Sequence, residues 1–299
     1  MTERARSLPE ILRRRQTAPP QRPEPPEGLP PGRIVQVPGR GEFLVRDTGG
    51  EGPVVLLLHG WMVTADTNWI TMYGPLADAG YRVIALDHRG HGRGMRSPEP
   101  FRLAACAEDA AAVLRSEGID RALVAGYSMG GPIACLLARD HRDLVDGVVL
   151  CATAPDWQEP RMRRAWKAMA LLRFQLGVFG DSAWRSWLRR MGLPDTPATS
   201  WAAGELSRGN ALDIAEAGRE LGRYDARPWL ASLGVPAAVI VTADDDLVPP
   251  RKQRELAALL NAPVHEVPGR HTAVTLQAQP FAVALREALA EVAAARVGG

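Results

Sequence analysis

Residues 123–132 read "LVAGYSMGGP". Leu123, Val124, Ala125 and Tyr127 suit a strand buried on both faces, whereas Gly126, Gly130 and Gly131 do not. The next residues, "GGPIACLLARDHRD" (130–143), have helical character, with Pro132 acceptable in a first turn. The stretch therefore reads as strand, sharp turn, helix, with Ser128 in the turn and a glycine two residues away on either side.

The same alternation repeats outward. "RIVQVPGRGEFLVRD" reads as two short strands joined by a Pro-Gly turn. "PVVLLLHGW" and "YRVIALDHRGHG" each hold a continuous apolar run, and residues 69–79 between them read as a helix interrupted near Pro75. "FRLAACAEDAAAVLRSEG" is helical up to Gly118. "VDGVVLCATA", "VPAAVIVTADDD" and "APVHEVPGRH" supply more strands, and "PPRKQRELAALLN" and "PFAVALREALAEVAAARV" more helices. Strands that alternate with helices pair in parallel and are covered on both faces, so an α/β class follows, its sheet mixed by the opening hairpin.

One interval breaks the pattern. Between Cys151 and Val235 no segment reads as a strand. "MRRAWKAMALLRFQL", "SAWRSWLRRMG" and "SRGNALDIAEAGRELG" read as helices, and Trp157, Trp166, Trp184, Trp187 and Trp201, five of the eight tryptophans, fall there. This predicts a helical cap, residues 155–224, over one end of a core made of 34–154 and 225–299.

Composition bounds the rest. Of 299 residues 46% are hydrophobic and 23% charged, ordinary for a globular chain, and a net charge of +2 gives no reason to expect nucleic acid. No run approaches the roughly 18 apolar residues of a membrane span. The first 33 residues hold eight prolines and seven Arg against four Glu, a local charge of +3. That segment reads as a disordered or extended tail, with a possible short helix at "SLPEILRRR" capped by Ser7 and Glu10. It lacks a secretory apolar run, so a cytoplasmic setting is expected. Cys106, Cys135 and Cys151 lack metal-ligand spacing and read as reduced core residues.

Sites in such sheets lie at the carboxyl ends of strands, where Ser128 falls. Gly-x-Ser-x-Gly at a strand-to-helix turn is a nucleophile elbow, and its context here carries more weight than the pentapeptide. A serine hydroxyl needs a base and an orienting acid, in the chain order Ser, Asp or Glu, His. Of the late histidines, His265 lies inside a strand, whereas His271 follows that strand's end. "VTADDDLVPP" offers Asp244, Asp245 and Asp246, with Asp156 as a distant fallback. Two backbone amides, of Met129 after the serine and of Trp61 after His59-Gly60, are candidates for an oxyanion hole. His59 itself reads as a buried residue that shapes its loop.

Taken together, "HGW", "DHRGHGRG", "GYSMGG", "ADDDLVP" and "GRH" resemble the α/β-hydrolase superfamily over residues 34–299, in order and at the usual separations. The likeness is nearest to the branch of esterases, cofactor-free haloperoxidases, enol-lactonases and C–C bond hydrolases, with a helical cap between the sixth and seventh strands. It implies an eight-stranded, mostly parallel sheet. It implies Ser128 as nucleophile, His271 as base, Asp245 (four residues before Pro249) as the acid, and Trp61 and Met129 as oxyanion amides. Asp87 and Arg89 would brace their loop. No metal or organic cofactor is implied. Three departures stand out: Arg270 before the histidine, Thr242 where a glycine is usual, and Gly94 where a serine is common.

The expected activity is cleavage of a carboxylic ester, a small molecule with an apolar acyl or alcohol group, in a pocket to which Trp184 and Trp187 contribute. Lactone opening, C–C cleavage or perhydrolysis could use the same residues. Epoxide or dehalogenase chemistry in this superfamily uses an Asp nucleophile, against which Ser128 argues. A non-catalytic ligand-binding homologue remains the alternative from another class.

Overall fold

The computed structural model describes residues 24–297. The possible helix at "SLPEILRRR" and most of the proline-rich segment lie outside the described residues. Eight strands form one sheet: β1 (Gly32–Val37), β2 (Gly41–Asp47), β3 (Val54–Leu58), β4 (Arg82–Leu86), β5 (Ala122–Tyr127), β6 (Val145–Cys151), β7 (Ala237–Thr242) and β8 (Val264–Val267). Their order is β1-β2-β4-β3-β5-β6-β7-β8. β1 pairs antiparallel with β2, and β2 with β4, while every other pairing is parallel. β1 starts one residue before the expected strand, at Gly32, which pairs with Arg46.

The apolar runs form strands because both faces are covered. In β3, Leu56 and Leu58 join one core cluster, and Val55 and Leu57 join the other. In β5, Val124 faces the first cluster, and Leu123 and Ala125 face the second. Period-two alternation thus sends successive side chains into two different layers, and a polar residue at either position would be buried.

The helices are α1 (Ala65–Trp69), α2 (Tyr73–Asp78), α3 (Leu103–Ser116), α4 (Gly130–Asp140), α5 (Pro160–Lys167), α6 (Met169–Arg190), α7 (Pro197–Leu206), α8 (Ala211–Leu221), α9 (Pro250–Leu260), α10 (Ala273–Leu276) and α11 (Ala278–Val297). α3, α4 and α9 contribute to the first layer, and α1, α2 and α11 to the second. The break expected near Pro75 falls instead at 70–72. Pro75 sits in the first turn of α2, where its missing N–H costs nothing. Cys106, Cys135 and Cys151 are free and buried, and burial raises the pKa of the Cys135 thiol to about 12.

Four helices, α5 to α8, fill the interval between β6 and β7. α7 has no counterpart among the helices expected from sequence. α6 joins two of the expected segments across Gly180, whose φ of 45° and ψ of −121° break the helical path. Among the described residues, no helix is long and apolar enough to cross a membrane.

Candidate active site

Ser128 follows the last residue of β5 and has φ of 53°, a left-handed conformation that is uncommon outside glycine. Such a residue costs of order 1–3 kcal/mol and persists only where its surroundings hold it. Here the Ser128 amide donates to the Cys151 carbonyl at 2.9 Å, and the Ser128 carbonyl accepts from Thr153 Oγ1 at 2.8 Å and from the Gly131 amide at 2.9 Å. The glycines make room for the reversal. A Cβ on Gly126 would stand 2.3 Å from the Gly130 carbonyl oxygen, and one on Gly130 would stand 2.1 Å from that of Leu58. The serine is 6% exposed, facing a cavity.

His271 reaches this serine from the loop after β8. Its Nε2 lies 3.0 Å from Ser128 Oγ and its Nδ1 lies 2.7 Å from Asp245 Oδ2. An ionised carboxylate only accepts, so Nδ1 carries the hydrogen and Nε2 is left to accept from the serine hydroxyl. The Tyr127 hydroxyl donates to the His271 carbonyl at 2.7 Å and ties the loop to the end of β5.

Asp245 is embedded in donors. Oδ1 accepts from the Leu247 and Val248 amides, both at 2.9 Å, and Oδ2 accepts from Thr242 Oγ1 at 2.8 Å and Gln253 Nε2 at 3.3 Å. Burial alone would raise this carboxyl's pKa. The charge and hydrogen bond of His271, with the bonds from Val248 and Thr242, outweigh it and hold the pKa below the ordinary carboxylate value. Its two sequence neighbours do other things: Asp244 accepts from the Gly269 amide at 3.1 Å, and Asp246 pairs with the exposed Arg270 at 2.6 Å. Arg270 therefore points away from the cavity. Asp156 is buried against Lys252 at 2.6 Å, and His265 meets Glu291 at 3.1 Å; neither touches His271.

The turn after β3 lies opposite. Asn68 Oδ1 accepts the Gly60 amide at 2.9 Å and orients the following peptide. Among the described residues, the backbone amides of Trp61 and Met129 donate to no other backbone group. His59 is fully buried. It accepts the His88 amide at Nε2 (2.9 Å) and donates from Nδ1 to the Gly60 carbonyl (2.7 Å), so it stabilises the turn. Asp87 accepts the Ala65 and Arg93 amides, and Arg89 forms a two-bond pair with Asp109, both at 2.7 Å.

Thr242, Gln253, Tyr127 and Asn68 complete the setting but were not picked out in the sequence as supports. Gln253 carried a signal: on α9 it shares the buried stripe with Leu256 and Ala257, a polar residue at an apolar position.

A cavity of about 240 Å³ opens on Ser128 and His271. The sheet side contributes Trp61, Asn68 and Tyr127, and the helical insertion contributes Trp157, Met162, Trp166, Trp187, Met191 and Leu221. Trp61 meets Trp166 edge-on at 5.4 Å and donates Nε1–H to the Ile214 carbonyl on α8 at 2.7 Å. Trp187 lines the cavity as expected from sequence. Trp184 does not. It is buried against Trp187 and lines a neighbouring depression of about 350 Å³.

The chain is similar to known proteins to differing extents. The chain is 40% identical over 101 residues to epoxide hydrolase B of Mycobacterium tuberculosis, covering 33% of this chain and 28% of that protein. It is 30% identical over 168 residues to 3-oxoadipate enol-lactonase 2 of Acinetobacter baylyi, covering 55% and 62%. Both matches span less than two thirds of the relative's own length. The enol-lactonase structure from Burkholderia xenovorans LB400 superposes with a TM-score of 0.74 at 23% identity, covering 87% of this chain and all of that one. A family model described as the alpha/beta hydrolase fold matches residues 53–276, three quarters of the sequence, and the chain belongs to that family.

Proposed function

We propose that this hydrolase-family chain cleaves a carboxylic ester through an acyl-enzyme. The observation that carries the reading is the hydrogen-bonded line Ser128–His271–Asp245 at the edge of an apolar cavity. Ser128 Oγ attacks the ester carbonyl while His271 Nε2 takes its proton. Asp245 keeps the imidazole in the receptive tautomer and stabilises its cationic form. The amides of Trp61 and Met129 receive the developing oxyanion, with Met129 at the N-terminus of α4. His271 returns the proton to the departing alcohol, then activates water to release the acid. The insertion acts as a cap, and its tryptophans and methionines favour an apolar acyl or alcohol group.

Lactone opening is the second reading. A lactone is a cyclic ester that reacts by the same steps, and the similarity to an enol-lactonase favours it. Similarity to the epoxide hydrolase covers a third of the chain, and opening an epoxide in that manner needs a carboxylate where Ser128 stands.

Hydrolysis of p-nitrophenyl esters from acetate to palmitate tests the proposal. Ser128→Ala is expected to lower kcat by about 10⁴-fold or more. Turnover that survives the substitution would remove Ser128 from the chemistry.

A further inference from the structure

Helix α6 carries two apolar stripes where a surface helix needs one. Met169, Leu172 and Leu176, spaced i, i+3, i+7, pack inward against the core clusters. Leu171, Phe174 and Val178 repeat that spacing on the other side and are 57%, 60% and 58% exposed. Among the described residues, the second stripe packs against none of the core clusters. It ends at Gly180, where the helix breaks.

The charge around this stripe has one sign. Residues 160–180 hold five basic side chains and no acidic one. Arg163, Arg164, Lys167 and Arg173 are exposed, and among the described residues none makes an ion pair. Elsewhere most surface arginines are paired, as Arg185 is with Asp181 just past the break.

This charge selects the occupant. A second copy docked by two-fold symmetry would set one cationic face on another. The chain's own first 33 residues carry +3 and would be repelled. An anionic lipid surface satisfies both features, with phosphate near the cations and the acyl boundary beneath the apolar stripe. We infer that α6, with the basic end of α5, seats this protein on an anionic lipid surface, with Leu171, Phe174 and Val178 entering the headgroup–acyl boundary.

The placement has a consequence that rests on the ester reading. α5 and α6 also contribute Met162, Trp166 and Trp187 to the cavity beside Ser128. The basic helix α5 that meets the lipid is thus also a wall of the site through Met162 and Trp166, while Trp187 lies on α6 past the break at Gly180. Binding itself does not depend on the chemistry.

Co-sedimentation of the full chain, and of Ser128→Ala, with vesicles of phosphatidylcholine and phosphatidylglycerol in equal parts tests the inference. Both proteins should sediment, less so with phosphatidylcholine alone and less so at high salt. The triple variant Leu171→Ser, Phe174→Ser, Val178→Ser should bind at least about tenfold more weakly while keeping its rate on p-nitrophenyl acetate. A second variant, with Arg163, Arg164, Lys167 and Arg173 all changed to Gln, should lose the preference for phosphatidylglycerol and keeps the test open if the first fails to fold. No sedimentation, or sedimentation unchanged by both variants, overturns the inference. A solution dimer abolished by the triple variant overturns it in favour of a second copy. Loss of ester hydrolysis with vesicle binding retained would sink the enzymatic reading alone.

Discussion

Two walls face each other across the cavity, and they are built by different physics. The wall on the strand ends is polar and over-determined. Ser128 is held by three backbone-directed bonds, Asp245 accepts from five donors, and His271 is tied at both ring nitrogens and at its carbonyl. The wall on the insertion is apolar and rests on ring edges, with Trp166 set between Trp61 and Trp157 at 5.4 and 6.4 Å. Directional bonds place atoms to a fraction of an ångström, as proton transfer demands. Ring and thioether contacts give volume and tolerate rearrangement, as recognition of an apolar group allows. The two walls should therefore fail differently.

The largest contrast comes from Asp245→Asn. It keeps the shape of the polar wall but removes the charge that fixes the imidazole tautomer. The expected loss in kcat is about 10³- to 10⁴-fold, with the order of preference among acyl chain lengths unchanged. A change in preference instead would mean that the polar wall also selects substrate.

Acid should undo the polar wall's support before it touches the insertion. Burial depresses His59, His88 and His91 together, with His88 near pKa 3 and His91 near 4. Below the usual histidine range the unfolded chain takes up these three protons and the folded chain does not, so stability falls as pH falls. Asp87 opposes them: burial raises its pKa to about 6, so the folded protein takes a proton there before the unfolded chain does. Three against one leaves about two protons, or roughly 3 kcal/mol lost per pH unit between about pH 6 and 4. Urea unfolding at several pH values measures the slope, and stability that rises as pH falls would show that these histidines titrate normally and only Asp87 is shifted.

The smallest effect should come from the apolar wall. Trp187→Ala enlarges the cavity and should shift the preferred p-nitrophenyl ester to longer chains by about tenfold in relative kcat/KM, at a modest cost in rate. Unchanged selectivity would place the acyl group away from the insertion.

The same contrast explains what the sequence made legible. The strands were readable because runs such as Val54–Leu58 have no reason to be apolar throughout unless both faces are covered. The turn at Ser128 was readable because the close approach of strand to helix excludes a Cβ at Gly126 and Gly130. Which of three consecutive aspartates meets His271 was not readable from spacing alone, since Asp244, Asp245 and Asp246 sit in one turn and differ only in direction. In the insertion, α7 is not legible from the sequence because Thr196 and Thr199 cap it reciprocally, where the usual cue is a Glu or Gln three residues on. Its helix also lacks a clear apolar stripe. The break at Gly180 depends on backbone angles that a glycine permits but does not announce.

Trp61 belongs to both walls. Its backbone lies in the turn steered by Asn68, and its indole is bonded to α8 and meets Trp166 of α5 edge-on. Any movement of the insertion that drags the indole must pull on the peptide beside Ser128. On the proposed ester reading, fit and turnover are then mechanically linked through one residue. A ligand that fills the apolar side badly would be punished in rate as well as in affinity, and selection for a new substrate would meet its first compromise at position 61.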